Sequence, residues 1–414
     1  MKWFRYLSFV SCFLLVLYST CKAGPYTNSI HGSSSSGVYR TNMTGYSRGN
    51  CAHCHEMHAT PNPFALFANN FNTAKTLGPY DQSDDFCFYC HGTPSEQVGG
   101  INNYDYSSSF GGAPASNATD ILSTFNQLSY HDLYDIWVFA KNNFSSFFTP
   151  ESNPCVACHN PHLVERSCGK PTPNFNSTQT AISRPTDHSA LWGDNSTEKM
   201  NYYAGGYLYQ PPYYYNSTNL EPDGASSVAS VQAGKTIDYV TFCTDCHNPN
   251  NQIYSTELAN LRGNGSVIKI DWSVEKHGKG AADGTIDMLP PYSNASIGQY
   301  VLSCLDCHEP HGSPNLFLIR REVNGKMLGK TITSILDIGW LCRNCHKDDA
   351  AANAGTGNVN SWEYIHHLSP DAPYPGPPGG CGRCHGTFSS DGCLHCHYHG
   401  STYTDYYGNI RRTF

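Results

Sequence analysis

The run Cys304-Leu305-Asp306-Cys307-His308-Glu309-Pro310-His311 sets two thiols two residues apart, an imidazole directly after them and a second imidazole three residues further on. Its first five residues follow a pattern, Cys-x-x-Cys-His, that occurs eight times in the 414-residue chain. The copies begin at Cys51, Cys87, Cys155, Cys243, Cys304, Cys342, Cys381 and Cys393. Their second thiols are Cys54, Cys90, Cys158, Cys246, Cys307, Cys345, Cys384 and Cys396. They close on His55, His91, His159, His247, His308, His346, His385 and His397. With 19 Cys and 20 His in the chain, chance supplies well under one copy.

This is the spacing of covalent c-type haem attachment. Two thiols form thioethers to one porphyrin edge, and the next imidazole reaches the iron from the proximal side. Eight haem c groups, each with its iron, are therefore expected. Zinc ribbons also use Cys-x-x-Cys, but need no His directly after each second Cys. A thioredoxin-like motif occurs once, beside a βαβ pattern, and a disulfide framework shows varied spacings.

The motifs consume 8 × 2 = 16 of the 19 Cys and leave Cys12, Cys21 and Cys168. Cys168 reads as a passive thiol. Lys2 and Arg5 precede an apolar stretch, Leu7 to Tyr18, too short to span a bilayer. Residues 1–23 thus read as a signal peptide cleaved after Ala23, with a lipid anchor on Cys21 as the rival. Export agrees with haem attachment, which occurs outside the energy-transducing membrane. A secreted location, extracellular or at the cell surface, is expected, with the periplasm as alternative. No second apolar segment reaches membrane-spanning length. The 25 basic and 33 acidic residues, joined by haem propionates, argue against nucleic acid as a partner. Sequons stand at Asn42, Asn117, Asn143, Asn176, Asn195, Asn216, Asn264 and Asn294, and matter only in an organism that glycosylates them.

Removing 23 residues leaves 414 − 23 = 391, about 49 per motif (391 / 8). That is too little protein to bury each porphyrin in its own core, so the haems must pack on one another and serve as the interior. With 37 Gly and 25 Pro and little sustained periodicity, the expected fold is mostly irregular coil with short helices and few short strands, organised around a stacked haem chain. Residues 24–414 read as one octahaem domain, with units of approximately 24–150, 151–260, 261–360 and 361–414 carrying two haems each. Phe125 to Ala140 and Ile332 to Cys342 are expected helices; Leu316 to Val323 and Val267 to Trp272 are expected strands. The long gap from Glu165 to Phe242, with Tyr213, Tyr214 and Tyr215 in succession, reads either as an interface or as a flap over the haem chain.

Twelve His lie outside the proximal set (20 − 8). His53 and His395 sit between the cysteines of a motif, where geometry disfavours ligation. The remaining distal-ligand candidates are His31, His58, His131, His162, His188, His277, His311, His366, His367 and His399. Supply exceeds the eight needed for bis-His coordination, which holds iron low-spin and at lower potential than Met/His ligation. His55 and His58, His159 and His162, and His308 and His311 form His-x-x-His pairs; on a short turn the two imidazoles project from nearby positions. The second of each pair is expected to reach a neighbouring haem, with a hydrogen bond to a propionate as the alternative. His366 and His367 either serve two haems or include one bystander. Cys381 and Cys393 lie 12 residues apart, behind the Pro375 to Gly380 hinge, so their haems are immediate neighbours.

An internal repeat joins these features. His58, Pro61, Asn62 and Phe64 follow the first motif; His311, Pro314, Asn315 and Phe317 follow the fifth. The gaps to the next Cys are 87 − 55 = 32 and 342 − 308 = 34 residues. This resembles the doubled-motif multihaem cytochromes, whose Cys-x-x-Cys-His-x-Pro-His segments pair haems. The third and fifth motifs match that pattern; Met57 replaces Pro in the first, and Asn250 replaces the second His in the fourth. The likeness covers roughly half the chain, the motif regions.

The loop-rich chain and the paired motifs also resemble the extracellular cytochrome filaments, or nanowires, of metal-reducing microbes. That resemblance implies electron transfer by hopping, no catalytic residues, other redox proteins or extracellular acceptors as partners, and head-to-tail homopolymers. In that group a His of one subunit can ligate a haem of the next. His31, ahead of the flexible Ser33 to Gly37, is the candidate here, and its other reading is a ligand within its own subunit. The alternatives are a monomeric periplasmic carrier and an octahaem enzyme of the nitrite, hydroxylamine or tetrathionate type with one open haem site. A Cys-x-x-Cys-Lys motif, which would signal the enzyme, is absent.

Overall fold

The computed structural model describes residues 24–55, 86–100, 120–150, 152–164, 182–188, 191–193, 195–211, 233–280, 288–292, 298–334, 337–346, 398–404, 410–412 and 414. Helical pieces are short. Leu133–Asn143, at 11 residues, is the longest among the described residues. Among the described residues, six strands form three antiparallel pairs: β1 (Ser129–Tyr130) with β2 (Gly312–Ser313), β3 (Glu322–Val323) with β4 (Lys326–Met327), and β5 (Thr402–Thr404) with β6 (Ile410–Arg412). Buried apolar side chains gather in several small clusters. The largest of these includes Met200, Tyr209, Val240, Trp272 and Val301.

Long-range ties interleave the four units that the motif count suggests. Ser129 is in register with Ser313 and Tyr130 with Gly312. The Asp135 carboxylate accepts from the backbone N–H of Thr256 at 2.6 Å and from its hydroxyl at 2.9 Å. Ile30 N–H donates to the Val164 carbonyl. Lys276 N–H donates to the Phe414 carbonyl, and Gly400 N–H to the buried Glu275 carboxylate.

Four local expectations change. The helix expected from Phe125 begins only at Leu133, because the Asp132 side chain accepts from the N–H groups of Tyr134 and Asp135 and caps it there. Residues 129 and 130 instead form β1, and Ile121–Thr124 is a separate helix capped by Asp120. Among the described residues from Ile332 to Cys342, the α-helix is confined to Gly339–Cys342; Asp337 accepts from the N–H groups of Thr333 and Ser334 and holds the preceding loop. Leu316–Leu318 is a 3₁₀ turn rather than strand, with Phe317 and Leu318 at φ 60° and 57°. Val267 to Asp271 form no strand, and Trp272 begins a turn. In the long gap, the described segments pack inward through Trp192, Met200, Ala204, Tyr209 and Ile237. Tyr213 to Tyr215, the signal segment, Cys12, Cys21 and Cys168 lie outside the described residues.

Candidate functional site

Each of the six described motifs closes one helical turn. The N–H of His55, His91, His159, His247, His308 and His346 donates to the carbonyl of its motif's first Cys at 2.9–3.0 Å. Positions i, i+3 and i+4 of such a turn share a side, so two thiols and an imidazole face one space. The turns alternate in type. The first, third and fifth are 3₁₀ turns, capped by the side chains of Asn50, Asn153 and Ser303. The second, fourth and sixth lie at the short helices Phe88–His91, Tyr239–Cys243 and Gly339–Cys342. None of the twelve described cysteines forms a disulfide. Burial pushes Cys54 and Cys345 up to about 12 and Cys158 to about 11, so the thiols stay protonated.

Every described motif His faces an imidazole from elsewhere in the chain. The ring centres stand 5.9 Å apart for His55 and His162, 6.2 Å for His91 and His31, and 6.1 Å for His159 and His311. They stand 6.0 Å apart for His247 and His131, 6.0 Å for His308 and His399, and 6.2 Å for His346 and His277. Face-to-face rings in contact come closer, as His188 does on Phe147 at 3.8 Å, while edge-on contacts reach this range, as Phe125 does on His311 at 5.5 Å. A gap near 6 Å would also fit one metal atom shared by both rings: bonds of about 2 Å on each side, plus about 1.1 Å from nitrogen to ring centre, give roughly 6 Å. Burial lowers His131 and His247 to about 4 and His399 to about 3, which keeps these imidazoles neutral with a lone pair to give.

The Cys-x-x-Cys-His-x-Pro-His segments hold these pairs in order. In the third motif, His159 belongs to its own pair and His162 reaches back to the first motif's His55, while the Pro161 carbonyl accepts from Nδ1 of His31, the partner of the second motif's His91. The fifth motif repeats this register. His308 serves its own pair, His311 reaches the third motif's His159, and the Pro310 carbonyl accepts at 2.5 Å from Nδ1 of His131, the partner of the fourth motif's His247. Donating Nδ1–H to a carbonyl fixes the ring and leaves Nε2 unprotonated, the nitrogen that could donate a lone pair. One eight-residue segment thus sets three consecutive pairs.

Strain marks the fifth motif. Two successive non-glycine residues, Phe317 and Leu318, take left-handed conformations, at about 1–2 kcal/mol each. The geometry turns the Phe317 carbonyl to accept from Nδ1 of His308 at 2.9 Å and the Leu318 carbonyl to accept from Glu309 N–H at 2.7 Å. The Ser129 hydroxyl holds Leu318 N–H from the opposite side. Phe414 wedges between His277 and His399, with ring centres 4.6 and 4.7 Å away.

His31, His131, His162, His277, His311 and His399 are therefore the candidates that face motif imidazoles. His31 faces His91 of the same chain, which is the within-subunit reading of that residue. His188 stacks on Phe147, and His53 is buried against Tyr39 and Tyr46 with Nε2 on the Ser47 carbonyl. His58, His366, His367, His385, His395 and His397, with Cys381, Cys384, Cys393 and Cys396, lie outside the described residues. The orienting carbonyls of Pro161, Pro310 and Phe317 were missed from sequence, because backbone acceptors carry no residue signature; the repeated x-Pro-His was the available signal.

Among the described residues, no three His, Cys, Asp or Glu side chains group to hold a bare metal ion. No helix among them is long and apolar enough to cross a membrane. No family model, curated protein or solved structure matches the chain.

Proposed function

We propose that this chain is an extracytoplasmic octahaem c-type cytochrome that carries electrons by hopping between bis-His haems. The observation that carries the reading is the set of six facing pairs, each joining a motif His to an imidazole from elsewhere in the chain at 5.9–6.2 Å. The donor set fits an iron porphyrin: two thiols for its edge, one imidazole on each face, and a ring that itself supplies four nitrogens. Cys51 and Cys54, Cys87 and Cys90, Cys155 and Cys158, Cys243 and Cys246, Cys304 and Cys307, and Cys342 and Cys345 would hold the porphyrin edges. Bound there, the group supplies a one-electron Fe(III)/Fe(II) couple. The protein's part is to close both faces with neutral imidazoles, exclude water from the buried ones and keep successive sites adjacent. The Cys304 thiol lies close enough to that of Cys243, in the preceding motif, to raise its affinity for a proton, so those two sites would meet at their thiol edges. Two-sided ligation supports electron transfer over an enzyme needing an open iron.

Denaturing intact-mass spectrometry tests this, on protein exported from a host that attaches haem c. The expected mass carries eight covalent haems, with a bis-imidazole low-spin optical spectrum. Protein that folds in such a host with none attached would overturn the reading.

The filament form draws support from the same register. The second His of the third motif serves the first motif, and that of the fifth serves the third. His58, the second His of the first motif, would then serve a motif two places before the first. The chain has none, but the seventh motif of a preceding copy, with His385, would stand there. His58 thus replaces His31 as the proposed donor between subunits in an extracellular homopolymer.

A further inference from the structure

We propose that Glu309 is a positioning residue that lowers the potential of the third site, the one framed by His159 and His311; the inference rests on the haem reading above. Glu309 is buried, at 3 % exposure, and its Oε1 accepts from Nδ1–H of His311 at 3.0 Å and from His311 N–H at 3.2 Å. His31, His131 and His308 offer the same nitrogen to neutral backbone carbonyls, at 2.9, 2.5 and 2.9 Å. An imidazole whose Nδ1–H is shared with a carboxylate gains anionic character and becomes a stronger donor through Nε2. Such a ligand, with a fixed negative charge beside it in a low-dielectric site, favours ferric over ferrous iron.

The chain carries its own control. The segments Cys155–His162 and Cys304–His311 align position for position, and Asn160 occupies in the third motif the place that Glu309 takes in the fifth. Asn160 Oδ1 accepts from His162 N–H at 3.1 Å, as Glu309 does from His311 N–H, but Asn160 is neutral and its amide donates to the His188 carbonyl. The backbone role of this position is thus common to both segments. The charge belongs to one. Segments alike in geometry would in this way give two near-parallel imidazole pairs, at 8° and 16°, different potentials.

The test is spectroelectrochemical titration of the holoprotein beside Glu309→Gln and Glu309→Asp. Gln keeps the size and the acceptor while removing the charge; Asp keeps the charge. Electron paramagnetic resonance at each potential follows the near-parallel pairs. Glu309→Gln is expected to weaken the ferric preference of one site about tenfold, an upward shift of about 59 mV for one electron, and to leave the other sites in place. Glu309→Asp should recover most of it. One misfolding variant leaves the other decisive, and equal potentials for the two near-parallel signals in the unaltered protein would also overturn the proposal. Eight haems with unchanged potentials in Glu309→Gln sink the role of Glu309 alone. Absence of covalent haem sinks the haem reading.

Discussion

Replacing His162 with Ala should open a site that the residue does not adjoin in sequence. His162 lies three residues after His159, yet its ring stands 5.9 Å from that of His55 and nearly parallel to it, at 8°. His162 is exposed, and among the described residues its ring also meets the edge of Tyr26 at 5.8 Å, so lost packing should cost global stability only about 1 kcal/mol. The expected effect on the irons is larger and local. One site in eight turns from low-spin to high-spin, the near-parallel resonance signal loses one site's intensity, and one equivalent of carbon monoxide binds per chain. The assay is spin quantitation with carbon monoxide titration. A second variant gives the address: with Cys51 and Cys54 both changed to Ala, no haem is held at the first motif. His162→Ala should then add no further high-spin iron, the non-additivity expected of residues sharing one site. A fully low-spin His162→Ala protein, or an added high-spin site in the combined variant, would refute the register.

Gly312→Ala should disturb the third and fourth sites, since a Cβ there would lie 2.0 Å from the Thr124 carbonyl. With Gly312 next to His311 and in register with Tyr130, itself next to His131, a loss of about 1–3 kcal/mol with one or both sites turned partly high-spin is expected by melting and spin quantitation; an unchanged spectrum would count against it. The imidazole planes should give two classes of ferric resonance, rhombic for His55–His162 and His159–His311 at 8° and 16°, strongly axial for His31–His91 and His277–His346, both at 70°. A frozen-solution spectrum with a single class would contradict those angles. His58→Ala should abolish filaments seen by electron microscopy while His31→Ala should spare them and open the second site; the reverse pattern would return His31 to the subunit boundary.

The turn at each motif was legible because Cys-x-x-Cys-His names its own spacing, and each of the six described copies closes one turn through a bond from the His N–H to the first Cys carbonyl. The pairing of His162 with His55 and of His311 with His159 was legible only as a class, a second His directed at a neighbour. Which neighbour depends on contacts across 130 and 179 residues, from His31 to the Pro161 carbonyl and from His131 to the Pro310 carbonyl. No local pattern records these. The helix expected from Phe125 failed for a similar reason. Its apolar spacing was real, but Ser129 and Tyr130 were taken up by Gly312 and Ser313, and Asp132 restarted the helix. Left-handed Phe317 and Leu318 were the least legible feature, because their cost is met by tertiary bonds to His308, Glu309 and Ser129.

The most direct test is a cryo-electron microscopy map of the exported protein at a resolution that separates imidazole rings. A planar density with a strong central peak is expected between each of His55 and His162, His91 and His31, His159 and His311, His247 and His131, His308 and His399, and His346 and His277, joined to the two cysteines of the first-named motif. Empty gaps between those rings, or irons paired with other histidines, would contradict the account.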